Sequence, residues 1–458
     1  MDGYTRIEGI DEGINSRIIV INDAITKTSP RRWIMLILYV LTNALTNFQW
    51  IQYSAISDIV CKYYNVSYEA VNWTFLVYSL LYIPMAIPGS YLVDKFGLRN
   101  AVLSGTMLTC LGAWVKIFST NHDMFYLVLI GQLIVASSAM FTISTPAAVA
   151  AAWFGPNEKS TACSLGIFGA QIGVAFGFIV PPQLISQEND DAAIARNLFI
   201  MLFVIAVILT ILFIVQLMFF EDRPLYPPSN SEVQKRSNGT PPTNFFKTLH
   251  YFVTHKSFII HVISNSTVYG LNLAVLTLLN QILSNYYADA SLEAGRIGFI
   301  MVISGMLGTL VCGFALDKFY QYKVLLIVIQ LFCMLGIILF AFVLGYNIFV
   351  VYVVSSILGF FWASVQPVGY EAAIELIYPK SEGLAVGFLL TASQLFGIIF
   401  TYFYSYFLYN FGSIFTNILV IVIMTIALFL ITFIRFEYQR RYVNISLIFN
   451  EEDKPLLH

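Results

Sequence analysis

The chain has 458 residues, of which 58% are hydrophobic, 16% aromatic and only 11% charged, with a mean hydropathy of +0.76. Soluble domains carry about 25% charged residues, so this composition excludes a water-facing surface of the necessary size, and with it a soluble enzyme or a disordered chain. Twenty-four Lys and Arg against 26 Asp and Glu give a net charge of −2, which leaves no basic excess for a nucleic acid.

A tail, residues 1–32, precedes the first apolar run. A transmembrane helix needs about 20 predominantly apolar residues. Twelve such runs follow in chain order: 33–57, 71–93, 100–119, 123–145, 160–183, 196–220, 257–283, 296–316, 323–344, 347–368, 383–408 and 412–435. None alternates every second residue as a membrane β-strand does. The expected class is therefore all-α and polytopic. The stretch 221–256 carries Glu221, Asp222 and Arg223, then five prolines and a polar run, and reads as a loose central linker between two six-span halves, 33–220 and 257–435. Residues 436–458 form a closing tail. Of the 24 Lys and Arg, all but Lys62, Lys116, Arg196 and Arg296 fall on the side of the termini. The bias predicts that both termini are cytoplasmic.

The five cysteines are scattered, with no C-x-x-C, and read as buried apolar residues or stray thiols rather than a disulfide frame or zinc site. No G-x-x-x-x-G-K-[ST] is present to cradle ATP phosphates. No catalytic constellation or metal set stands out, so neither enzymatic activity nor a cofactor is expected.

Two turns on the side of the termini look alike. After span 2 the chain reads Ser90-Tyr-Leu-Val-Asp94-Lys95-Phe-Gly97-Leu-Arg99, and after span 8 Gly313-Phe-Ala-Leu-Asp317-Lys318. The small residue permits close helix approach. The Asp can accept N–H groups at a helix N-terminus, and the basic residues can pair across the turn. Asp94, Lys95, Arg99, Asp317 and Lys318 thus read as a gating latch, with Glu371 and Glu375 near the end of span 10 as further gate residues. Paired occurrence in both halves resembles the loop 2–3 and loop 8–9 signature of the major facilitator superfamily. The resemblance implies a substrate site near the bilayer midplane and alternating access by rocking halves.

Longer strings narrow this further: Asn47-Phe-Gln-Trp50-Ile-Gln-Tyr53, Gly112-Ala-Trp114-Val-Lys116, Trp153-Phe-Gly-Pro156-Asn-Glu158, Gly177-Phe-Ile-Val-Pro181-Pro182, Gly295-Arg296-Ile-Gly298, and Glu371-Ala-Ala-Ile-Glu375 through Gly383. Together they resemble the feline leukaemia virus subgroup C receptor family of choline/ethanolamine and haem-linked transporters. The resemblance implies a pocket that includes Trp50, Tyr78 and Gln394. It places Ala139 and Leu273 where the family has a pocket glutamine and tyrosine, and Thr46 where it has an asparagine, so the cage is expected to be thinner on those sides. Tyr269, Asn272, Gln366 and Trp362 are candidate substitutes. Aromatic faces suit a quaternary ammonium, whose diffuse charge has no N–H to donate.

No Asp or Glu clearly sits at mid-membrane, which favours potential-driven uniport over ion coupling. Gln132 and Gln171 read first as helix-packing hydrogen bonds, and Lys116 as a residue that snorkels to the interface. The five histidines lie in loops, in tails or near a span end, which weakens but does not remove haem as an alternative cargo. A non-transporting solute sensor or scaffold is the third reading. The expected partners are a small-molecule substrate and the lipid bilayer, with no nucleic acid, in a monomer at the plasma membrane. An acidic dileucine pattern, 452–457, points alternatively to endosomes or lysosomes, and Asn65-Val-Ser67 offers a glycosylation sequon.

Overall fold

The computed structural model describes residues 28–142, 145–155, 158–185, 190–228, 245–319, 321–377 and 382–435. Helix occupies every one of the twelve expected spans. Ten are carried by Arg32–Ile51, Tyr68–Phe96, Leu98–Ile117, a segmented span 4, Lys159–Leu184, Asp191–Phe219, Lys256–Leu283, Ala290–Phe319, Tyr322–Val343 and Ile348–Ile377. Spans 11 and 12 are one 51-residue run, Glu382–Thr432, that turns at Gly412 (φ 78°), a left-handed conformation that glycine adopts without steric cost. Each helix closes its own backbone hydrogen bonds, the condition for crossing hydrocarbon.

Three boundaries differ from expectation. Span 1 ends as a helix at Ile51, and the chain turns before a separate helix, Ser57–Tyr64. Span 4 is interrupted at Ser138, between Phe125–Ser137 and Ala139–Thr142, and helix over Thr145–Trp153 lies past its expected end. The central linker is not loose throughout, since Phe245–Thr254 is helical. Its Phe252 is buried, with its ring 5.1 Å from Phe258 and 6.2 Å from Phe388. Three aromatic faces packed together outweigh the polar composition around them.

Glycine sets the helix spacing inside each half. A methyl group at Gly173 of span 5 would stand 2.0 Å from the Ala44 carbonyl oxygen of span 1. At the equivalent place in the second half, a methyl on Gly270 of span 7 would meet Phe396 of span 11 at 2.8 Å. Spans 8 and 10 touch in the same way through Gly308 and Gly359. Lipid tails supply no hydrophobic drive between helices, so close backbone approach is what holds them. Spans 1, 3 and 6 are further joined by polar glue: Gln216 Nε2 donates to Thr42 Oγ1 at 2.7 Å, and Thr106 Oγ1 donates to Gln216 Oε1 at 2.6 Å.

The two halves meet away from the termini. Phe178 of span 5 lies against Gly295 and Gly298 of span 8, where an added methyl would come within 2.6 Å and 2.4 Å of Phe178 atoms. On the same side Asn280 of span 7 receives hydrogen bonds from Ser57 Oγ (2.9 Å) and the Asp58 N–H (3.2 Å). It donates to Asp58 Oδ1 at 2.9 Å. Asn72 accepts from Gln281 Nε2 at 2.9 Å. The cross-half side-chain hydrogen bonds of Asn280, Asn72 and Ser291 lie on this far side, and another at mid-depth is described below.

Candidate substrate cavity

A cavity of about 330 Å³ lies between the halves at mid-depth. Its wall includes Trp50, Tyr78, Gln394, Thr46, Ala139, Leu273, Asn272 and Gln366, all eight of the residues proposed from sequence as substrate-binding. Tyr269 and Trp362 also line it. No Asp, Glu, Lys, Arg or His is among the described lining residues.

Spans 1 and 2 build the aromatic wall. The Trp50 ring stacks on Phe75, with centroids 4.5 Å apart and an interplanar angle of 21°. It faces Tyr78 at 6.5 Å. Stacking on a buried Phe fixes the indole plane while its Nε1 stays without a hydrogen-bond partner. Tyr78 is held from behind, where its hydroxyl donates to Gln132 Oε1 at 3.2 Å. Gln132 is itself tied down, donating to the carbonyls of Gln49 (2.9 Å) and Thr74 (3.2 Å). The face offered to the cavity is thus rigid and π-rich.

The polar wall is shared between the halves. Ser79 Oγ of span 2 donates to Gln394 Oε1 of span 11 at 2.7 Å. Thr46 is committed within the first half, its Oγ1 donating to the Thr42 carbonyl at 2.9 Å. Trp362 lines the cavity but is 1% exposed, and its indole N–H is used by the Val268 carbonyl at 3.0 Å. Ala139 and Leu273 bring aliphatic side chains to the wall.

Two sequence expectations are corrected. Lys116 does not snorkel: it is fully buried, its Nζ donates to Gln132 Oε1 at 3.0 Å and stands 6.0 Å from the Tyr53 ring. Helices 3 and 4 pack so closely at Gly112 and Gly131 that the lysine stem is trapped between them, and a methyl on Gly131 would be 2.3 Å from Lys116 Cγ. Gln171, read first as packing glue, is half-buried and lines the cavity.

The gate residues are only partly described. The side chains of Asp94, Lys95 and Asp317 lie outside the described residues. Lys318 is exposed, with its Nζ 5.7 Å from the Phe319 ring. Glu371 is exposed and Glu375 buried. Among the described residues, Arg99 contacts the end of span 6 and the start of the central linker. Its Nη2 donates to the Leu217 carbonyl at 2.9 Å, and its backbone N–H to Asp222 Oδ1 at 3.1 Å. The N-terminus of span 3 is therefore met by Asp222, from the start of the central linker. Gly97, with φ 84°, leaves the room, since a methyl there would lie 2.7 Å from the Asp222 carboxylate. The dileucine tail lies outside the described residues, whereas Asn65 is exposed.

Sequence reasoning missed the Asp58–Asn280 seal and the Lys116–Gln132 contact. Each is a polar residue near a span end, and its partner lies a hundred or more positions away or on a neighbouring helix, where spacing gives no signal.

The sequence profile described as Major Facilitator Superfamily matches residues 33–401. The chain is 35% identical over 429 residues to the human choline/ethanolamine transporter FLVCR2, covering 93% of this chain and 82% of that one. It is 34% identical over 425 residues to the cat choline/ethanolamine transporter FLVCR1, covering 92% and 76%. It is 37% identical over 416 residues to an uncharacterized MFS-type transporter, C09D4.1, of Caenorhabditis elegans, covering 91% and 71%. Among solved structures, a bacterial homologue of the human lysosomal transporter Spinster superposes with a TM-score of 0.68 at 13% identity, covering 88% of this chain and 97% of that one. The Escherichia coli fucose:proton symporter superposes at 0.57 and 14% identity, covering 88% and 99%. The fold, the inter-half cavity and these relatives agree: the chain is a membrane transporter that belongs to the major facilitator superfamily and, within it, to the FLVCR choline/ethanolamine transporter family.

Proposed function

We propose that this protein carries choline- and ethanolamine-class cations across the membrane by facilitated, alternating-access uniport. The observation that carries this reading is the cavity wall, where Trp50 and Tyr78 stand together and no described lining residue carries a formal charge. A quaternary ammonium gains roughly 0.5–2 kcal/mol from each aromatic face. A carboxylate would bind it more tightly but would slow its release. The amide NH₂ of Gln394, with its oxygen already taken by Ser79, is placed to donate to a substrate hydroxyl.

The lysine and arginine bias places both termini in the cytoplasm. With that orientation the seal at Asp58, Asn280 and Ser291 is extracellular, and the conformation is the one closed to the outside. Asp94, Lys95, Asp317, Lys318, Glu371 and Glu375 would then act at the cytoplasmic gate. The protein would act as a monomer at the plasma membrane. With no Asp, Glu, Lys, Arg or His among the described residues of the cavity wall, flux follows concentration and membrane potential. One charge crossing 100 mV is worth about 2.3 kcal/mol.

The test is uptake of labelled choline and ethanolamine into vesicles containing the protein, with and without an imposed potential. Saturable, potential-sensitive uptake that Trp50→Ala lowers at least about tenfold supports the reading. Uptake that is absent or indifferent to Trp50→Ala removes it.

A further inference from the structure

The cavity has two aromatic tiers, and only one of them is the Trp50–Tyr78 wall. Tyr82 follows Tyr78 by one helical turn on span 2, and Tyr269 precedes Leu273 by one turn on span 7. The two spans run in opposite directions, so both steps lead the same way, about 6 Å toward the side of the termini. Both rings line the cavity. Gln366 of span 10 lines it between them, donating through Nε2 to the Tyr370 hydroxyl and hydrogen-bonding that of Tyr269. Tyr82, Tyr269 and Tyr370 are electrostatic neighbours of one another, although Tyr82 belongs to the first half and the other two to the second.

Tyr82 is the singular member of this group. It is 9% exposed, and its hydroxyl is buried without a hydrogen-bond partner. A buried hydroxyl with no partner costs free energy that a ligand donor or acceptor would recover. The pair beside it is satisfied internally through Gln366, so Tyr82 is the member of the tier that brings an unused hydroxyl to the cavity wall.

We propose that Tyr82, Tyr269 and Gln366 form a second ammonium station, occupied in turn with the Trp50–Tyr78 station as the substrate moves between the cavity centre and the side of the termini. The inference rests on the cation-transport reading above and adds a site to it. Two moderate aromatic stations in series serve transport better than one deep one, because binding must be strong enough to admit the cation and weak enough to let it leave. The tyrosine tier also distinguishes its ligands. A primary ammonium can donate N–H to the free Tyr82 oxygen, whereas a quaternary one meets only the ring faces.

The test compares right-side-out and inside-out vesicles carrying the full-length protein, with labelled choline and ethanolamine as the probes. Tyr269→Leu is expected to raise the apparent KM about fivefold at the face of the termini and by less than about twofold at the opposite face. For a uniporter at zero potential Vmax/KM is equal at both faces, so Vmax from the face of the termini rises in parallel. Tyr269→Phe restores the wild-type KM. Tyr82→Phe, which removes only the hydroxyl, shifts the ratio of the two KM values at that face about threefold in favour of choline. Tyr269→Leu with unchanged KM at both faces, or Tyr82→Phe with an unchanged ratio, overturns the second station while wild-type uptake and its Trp50→Ala loss still support the transport reading. Wild-type vesicles that take up neither cation overturn both.

Discussion

Ser79 on span 2 and Gln394 on span 11 are joined by a 2.7 Å hydrogen bond across the two halves at mid-depth. It stands apart from the far-side seal. The acceptor is a residue of the cavity wall, so substrate contact and contact between the halves meet in one amide. A neutral hydrogen bond is worth about 1 kcal/mol net, so Gln394→Ala is expected to weaken cation binding roughly fivefold. Ser79→Ala should weaken it less, since the Gln394 amide remains. Equilibrium binding of labelled choline to the two single variants and the double variant measures this, and strictly additive losses would show that the bond does not couple to the site.

Lys116 and Tyr78 share one acceptor, Gln132 Oε1, at 3.0 and 3.2 Å. Gln132→Leu leaves both donors buried and unpaired at once, and is expected to destabilise the protein by about 3 kcal/mol. Lys116→Met removes the charge together with its need for a partner and keeps the stem volume, so it should cost clearly less. Thermal unfolding of the purified variants in detergent decides the order, and a Lys116→Met loss equal to that of Gln132→Leu would contradict it.

The far-side seal converges on Asn280, which bonds Ser57, Asp58, Ala55 and Ser291. Asn280→Ala removes these contacts together and should shift the population toward the conformation open on that side. Spin labels at Lys62→Cys and Asp289→Cys, in a background lacking the native cysteines, report the change as a longer inter-label distance. An unchanged distance distribution would mean that the glycine contacts of Phe178 hold the seal without Asn280.

Cys61, on the short helix after span 1, has its thiol pushed up to about 12 by burial and then by the neighbouring Asp58 charge. The thiolate is the reactive form, so at pH 7–9 almost none is present and alkylation is expected to be slow. Its rate should rise only as the pH nears 12. Lys62→Cys, one residue on and exposed, supplies the reference. A membrane-impermeant maleimide should label it at least about tenfold faster, and only from outside if the termini are cytoplasmic.

Gly173 leaves no space for a side chain against the Ala44 backbone. Gly173→Val must push spans 1 and 5 apart, and overpacking of this kind costs about 1–3 kcal/mol or more. Because span 1 carries Trp50, transport should fall along with stability. Gly387, where a methyl would meet nothing within 4 Å, is the control, and Gly387→Ala should leave the melting temperature nearly unchanged.

The sequence by itself determined the all-α, polytopic class and led to the expectation of twelve spans in two sets of six, because hydrocarbon accepts only long apolar helices with satisfied backbones. It also named eight residues that the fold gathers on one cavity, through long strings that mark a family. Only the tertiary structure decided which polar residues face which neighbour. Lys116 reads as an interfacial lysine until helix 4 is packed across it at Gly131. Tyr82 and Tyr269 lie 187 positions apart, and no periodicity along the chain places them in one tier. Spacing along a helix fixes a face, but the partner of that face is set by glycine contacts between helices that are distant in sequence. The low charge fraction said that the chain lives in a membrane. The packing then gathered a cavity wall whose described residues carry none of that scarce charge.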